Sequence, residues 1–162
     1  MTGKEVLKNA LESTQQILHW FIADLSDADF MERPVANANH IAWQIGHTTA
    51  VEARFLPQIG GVAPPLPDGF DKKHTKDTAS LNNAADFYTK QQYIDCFDKV
   101  RNASIARLEK LSDLDLDTKT EGPMAQFAPN WGAMFILLAN HTMMHVGQFS
   151  AIRRKIGKPV LF

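Results

Sequence analysis

Apolar residues recur at a 3.6-residue spacing in four separate stretches of this chain, and no stretch keeps the period-two alternation of a half-buried strand. A chain patterned this way buries its apolar side chains by packing helix against helix. The first stretch opens on Thr2-Gly3-Lys4-Glu5, a capping-box pattern, and continues through Val6, Leu7, Ala10, Leu11, Ile17, Leu18, Phe21, Ile22 and Leu25. The period breaks between Ser26 and Val35, where Arg33, preceding Pro34, is pushed out of the α region. A second helix is expected to be capped by Asn37 or Asn39 and to run through Ile41, Trp43, His47, Val51 and Phe55 to a stop near Pro57, with Gly60 and Gly61 beyond. Thr89-Lys90-Gln91-Gln92 is another capping box, and Tyr93, Phe97, Val100, Ser104, Leu108 and Leu111 trace the stripe of a third helix. The run from about Trp131 to Ile156 is the most apolar, with Gly157 at a C′ position and Pro159 just past it.

These signals predict an all-α fold, a four-helix bundle in a single domain over residues 1–162, with a long loop between helices 2 and 3. That loop, 62–88, holds Pro64, Pro65, Pro67 and Gly69 and exceeds a routine connection; loops of this kind are functional or mobile. A hydrophobic content of 44% with 22% charged residues in 162 is globular composition. The net charge of −1 offers no electrostatic footprint for a phosphate backbone, which argues against a nucleic-acid partner. No run of about 18 apolar residues spans a bilayer and no signal peptide opens the chain, so the expectation is a cytoplasmic protein with no membrane partner. The lone Cys96 excludes an intramolecular disulfide and is expected to be a small buried hydrophobe.

The chemistry-bearing feature is His141-Thr142-Met143-Met144-His145 inside the last apolar run. Four residues turn an α-helix by about 400°, so the second imidazole sits roughly 40° round and about 6 Å along from the first, near enough for both to reach one ion. The bland reading is that each ring bonds a carbonyl or water in the core. His47 is the third candidate, on the apolar side of helix 2 between Trp43 and Val51. Three imidazoles from two helices leave a coordination position open on Zn²⁺ or Ni²⁺, the arrangement of a catalytic site. Gly46 and Gly147 each stand beside a candidate ligand, at a cost of about 1 kcal/mol against alanine, which a close approach of backbones would explain. The glutamate of the His-Glu-x-x-His proteases is missing after His141, which disfavours proteolysis by that route.

Other residues have weaker standing. Gln148 could orient a ligand, or simply bond across a helix interface; His40 could line the site mouth but reads better as a partly exposed first-turn residue. His19 and His74 read as solvated or hydrogen-bonded histidines. Arg153, Arg154, Lys155 and Lys158 complement the negative end of the last helix, with an anionic cosubstrate as the minority reading.

Asn39 to Glu52 (NHIAWQIGHTTAVE), Asn140 to Phe149 (NHTMMHVGQF) and the closing Arg153 to Pro159 resemble the DinB superfamily over essentially the whole chain. The resemblance implies one divalent ion, zinc or nickel, held in a four-helix bundle by His47, His141 and His145. It also implies a low-molecular-weight thiol as cosubstrate of a transferase or isomerase, while the Trp43-to-His47 segment is similar to the branch found in enzymes of ergothioneine synthesis. The expected function is a metal-dependent transferase or hydrolase acting on a small-molecule substrate, foremost an S-transferase, in which the ion activates a thiol or water for attack on a small electrophile, with no catalytic residue assigned beyond the ligands. The competing expectation is a non-catalytic helical module, stress-induced and homodimeric, whose histidines bind metal for stability or bind none.

Overall fold

Each expected helix begins at a side chain that satisfies its orphan amides. Thr2 Oγ1 accepts from the Glu5 amide at 3.2 Å while the Glu5 carboxylate accepts from the Thr2 amide at 2.7 Å, starting α1 (Gly3–Ile22). Ser26 and Asp29 form the same reciprocal pair at the head of α2 (Asp27–Phe30), a four-residue helix in the stretch where the apolar period fails. Thr89 and Gln92 form it for α4 (Lys90–Glu109), and Asn130 Oδ1 accepts from the Ala133 amide to start α5 (Trp131–Lys155). The α5 terminus is a Schellman motif: Lys158 N–H donates to Arg153 O, Gly157 N–H donates to Arg154 O, and Gly157 takes φ 73°.

Helix α3 (Ile41–Phe55) departs from expectation at its start. Its cap is His40, whose Nδ1 accepts from the Trp43 amide at 3.1 Å, and neither Asn37 nor Asn39 serves. An imidazole nitrogen here replaces the usual carbonyl or hydroxyl oxygen, because the ring is buried against Phe87 and its Nε2–H donates to Leu81 O at 3.2 Å. His40 is therefore 0% exposed, where a partly exposed residue was expected.

The computed structural model describes residues 1–161, and within them the chain is all-helical, with no β-strand. The principal pairings set α1 against α5 and α4, and α3 against α4 and α5. The 62–88 segment is ordered by short 3-10 turns at Asp71–His74, Lys76–Thr78 and Ala84–Asp86, and it drives Phe70 and His74 into the interior.

The core consists of two apolar clusters. One gathers Leu18, Phe21, Ile22, Phe30, Ile41, Ile45, Phe70, Phe97, Phe149 and Ile152; the other gathers Leu7, Leu11, Phe55, Leu56, Leu108, Phe135 and Leu138. Along every long helix a polar residue falls between the two: Thr14 on α1, Glu52 on α3, Arg101 on α4, Thr142 on α5. Arg101, with no exposed surface, donates to both Glu52 carboxylate oxygens (Nε at 2.9 and 3.2 Å, Nη2 at 2.8 Å), to Leu11 O, and to the hydroxyls of Thr14 and Thr142. Charge buried this deeply persists only with its hydrogen bonds complete, and here one guanidinium collects them from three other helices. His47, His141 and His145 belong to the same polar waist.

Candidate metal centre

Helix α3 delivers His47 and helix α5 delivers His141 and His145, and the packing of α3 on α5 brings all three rings together. Each ring offers a nitrogen within 4.8 Å of those of the other two. Centroids lie 5.2 Å (47–141), 5.4 Å (47–145) and 4.9 Å (141–145) apart with the planes steeply inclined, so nitrogens and not ring faces converge.

The hydrogen bonds around the rings assign their protons. His145 Nδ1 lies 2.9 Å from Gln44 Oε1, and Gln44 Nε2 donates in turn to Asn39 O at 2.6 Å, which fixes the amide's orientation. A carbonyl oxygen only accepts, so Nδ1 carries the proton and Nε2 keeps a free lone pair. His47 Nδ1 faces His74 O at 3.3 Å, with the same consequence. The ring of His47 also stacks on Trp43, one turn earlier, at 4.8 Å and 8°, and the Trp43 indole N–H donates to Thr75 O and Thr78 Oγ1.

Burial keeps the three imidazoles neutral. It is the largest cause in each case, pushing His141 down to about 4, His145 down to about 3, and His47 below the ordinary value of 6.5; the neighbouring imidazoles add to it at His141 and His145. Neutral imidazole is the form that ligates a metal.

His74 holds the 62–88 segment against this centre. Its Nδ1–H donates to Phe70 O and its Nε2 accepts from the Tyr93 hydroxyl, both at 2.7 Å, while its own carbonyl accepts from His47. The ring occupies the notch left by Gly46, where a Cβ would collide with it. The close approach expected at Gly46 is thus a side chain and not a backbone. Gly147 faces open space, and nothing in the structure explains it.

Of the remaining candidates, Gln44, not Gln148, is the amide that meets the triad. His19 lies apart, its Nε2 2.7 Å from Asp98. Cys96 is buried, and burial pushes its thiol up, as befits a small hydrophobe. Arg153 does more than face the helix dipole: it is buried and donates to Phe21 O and to the Asp24 carboxylate, which withdraws it from any role in docking an anion. Glu52, the one carboxylate on the buried side of α3, is held by Arg101 and is not free to serve as a base.

Beside the triad lie two cavities that share His47, Val51 and Arg54. The larger, about 580 Å³, is walled by Leu66, Asp71, Thr75 and Lys76 of the ordered segment; the smaller, about 250 Å³, by Phe55, Met124, Leu137, Leu138 and His141.

An all-helical protein whose packed helices converge three neutral imidazoles defines the class to which this chain belongs. The sequence model of the DinB superfamily matches residues 10–149, and the chain is a member of that superfamily. Its fold is similar to the crystal structure of a conserved protein from Enterococcus faecalis, with a TM-score of 0.68 and 17% sequence identity over 98% of this chain and 99% of that one. None of the curated proteins matches the chain.

Proposed function

We propose that this protein is a metal-dependent enzyme in which His47, His141 and His145 hold one divalent ion, zinc or nickel, within a four-helix bundle formed by α1, α3, α4 and α5. The observation that carries the reading is the convergence of three nitrogens within 4.8 Å, two of them on rings whose protons are drawn to the far side by Gln44 and the His74 carbonyl. When bound, such an ion supplies Lewis acidity at an open position and lowers the pKa of a thiol or water that reaches it.

The chain's own residues do the rest. Gln44 holds the His145 ring in the ligating tautomer, and Trp43 keeps the His47 ring from turning by stacking on it. The ordered 70–78 stretch walls the larger cavity beside the centre and is fastened to α3 through the Trp43 indole. Arg101 engages Glu52 and so removes the buried carboxylate of α3 as a general base, leaving Asp71 in the wall of the larger cavity; a thiol, being more acidic than water, depends less on such a base. The reaction we assign is therefore S-transfer from a low-molecular-weight thiol to a small electrophile, in the cytoplasm, without nucleic acid or membrane as partner.

Metal content by elemental analysis of untagged protein tests the triad: about one equivalent in the wild type and a clear loss in His145→Ala are expected, and equal metal in both overturns the assignment. Consumption of thiol by the metal-loaded protein against a panel of electrophiles tests the reaction. The engagement of Glu52 by Arg101 also suits a second reading, a non-catalytic homodimeric module stabilised by metal. That reading requires a chelator to lower Tm, no thiol consumption, and a dimer on sedimentation.

A further inference from the structure

The chain has six arginines, and four have fixed partners. Arg33 donates to Ala38 O, Leu81 O and Asn82; Arg101 to Glu52; Arg107 to Ile59 O; Arg153 to Asp24 and Phe21 O. Arg154 lies in the last turn of α5, beside a crevice of its own. That leaves Arg54. Among the described residues it pairs with no carboxylate and makes only a cation-π contact with Phe55, 5.2 Å from the ring centroid.

Its position is specific. His47, Val51 and Arg54 are spaced i, i+4, i+7 on α3 and form the face shared by the two cavities beside the triad. The larger cavity contains Asp71 in its wall, so charge there is mixed. The smaller contains no acidic residue: its wall is Arg54, the two imidazoles His47 and His141, and five apolar side chains. Arg54 is exposed, so its guanidinium stands at the rim of the pocket with no carboxylate in that wall to occupy it, and its planar fork of donors suits a carboxylate that enters from solvent. At about 250 Å³ the chamber falls below the range of about 300–1,000 Å³ typical of sites for drug-sized ligands, so the occupant is small.

We propose that this chamber binds a small organic acid, with its carboxylate on Arg54, its apolar part against Phe55, Met124, Leu137 and Leu138, and the atoms between them facing His47 and His141. The proposal names the substrate class of the metal-enzyme reading and rests on that reading for what happens at the triad. Recognition of the acid rests on Arg54 and the chamber alone.

Hexanoate and hexanamide, equal in length and differing in charge, are the probes. Affinities are measured by ligand-observed NMR on the metal-free and the cobalt(II)-loaded protein, for the wild type, Arg54→Gln and Arg54→Lys. The wild type is expected to prefer hexanoate by about tenfold, Arg54→Gln to lose the preference, and Arg54→Lys to keep part of it. Acetate, lacking the apolar part, is expected to bind more weakly than hexanoate. An absent preference, a preference that survives Arg54→Gln, or no binding of either probe at millimolar concentration overturns the proposal. Cobalt uptake is read separately. A protein that takes up no metal yet discriminates through Arg54 overturns the metal reading and leaves this one standing, and a protein that takes up metal without discriminating does the reverse.

Discussion

Gln44 Oε1 and the carbonyl of His74 each accept a hydrogen bond from an imidazole N–H of the triad, and the direction of those two hydrogen bonds decides which nitrogen is free. Gln44→Ala keeps all three histidines but releases the His145 ring, and metal affinity is expected to fall about 10–100-fold, measured by competition with a chromophoric chelator. Protonation supplies a second prediction. Burial first of all lowers His40, His74 and His141 to about 4 and His145 to about 3 in the folded chain, against 6.5 for a free imidazole. Between those values the unfolded chain binds more protons than the folded one, so stability contributed by these groups is complete above about pH 6.5 and is lost as pH falls toward 4 and below. Urea midpoints of the metal-free protein at pH 7.5, 5.5 and 4.5 should decline in that order, and a flat profile would contradict the burial of these rings.

Gly46 links one element to another. Helix α3 can carry the His74 ring against its surface only because position 46 has no side chain, and the segment from Phe70 to Thr78 is fastened there and at Trp43. Gly46→Ala would raise intrinsic helix propensity, yet the methyl group displaces the ring; a net destabilisation of about 1–3 kcal/mol is expected, with faster hydrogen exchange confined first to 70–78. A stabilised variant with unchanged exchange would show that the notch is not needed. The expectation for 62–88 was a functional or mobile loop. Its prolines and polar residues did mark irregular backbone, but they carried no sign that His74 would be buried, because its partners Phe70, Tyr93 and Gly46 come from three different elements.

Over the whole molecule, the polar waist ties the long helices through Arg101. Removing one member of the pair strands the other, so Arg101→Met or Glu52→Leu alone is expected to cost about 3–5 kcal/mol in urea denaturation, whereas the double variant should be much closer to the wild type. If the double variant loses as much as the sum of the single ones, the pair is not coupled as its geometry says. The same layer helps explain why two apolar clusters, and not one, make up the core: the row of polar side chains interrupts each helix at the level where the histidines sit.

Local patterns in the chain determine its helices. Capping boxes, the apolar period and the Gly157 stop act over three or four residues, so the existence and most of the bounds of α1, α4 and α5 are encoded where they occur. The spacing of His141 and His145 belongs to the same local class, and His47 was drawn to them by the apolar face it shares. The folded chain alone settles what depends on residues far apart in sequence. The cap at His40 exists because Phe87 and Leu81 bury that ring, and Gln44 rather than Gln148 meets His145 because α3 packs on α5 in that register. Arg101 finds Glu52 across 49 positions. A hydrogen bond between distant residues leaves no period in the sequence, since its partners are set by how helices pack and not by the turn of any one of them.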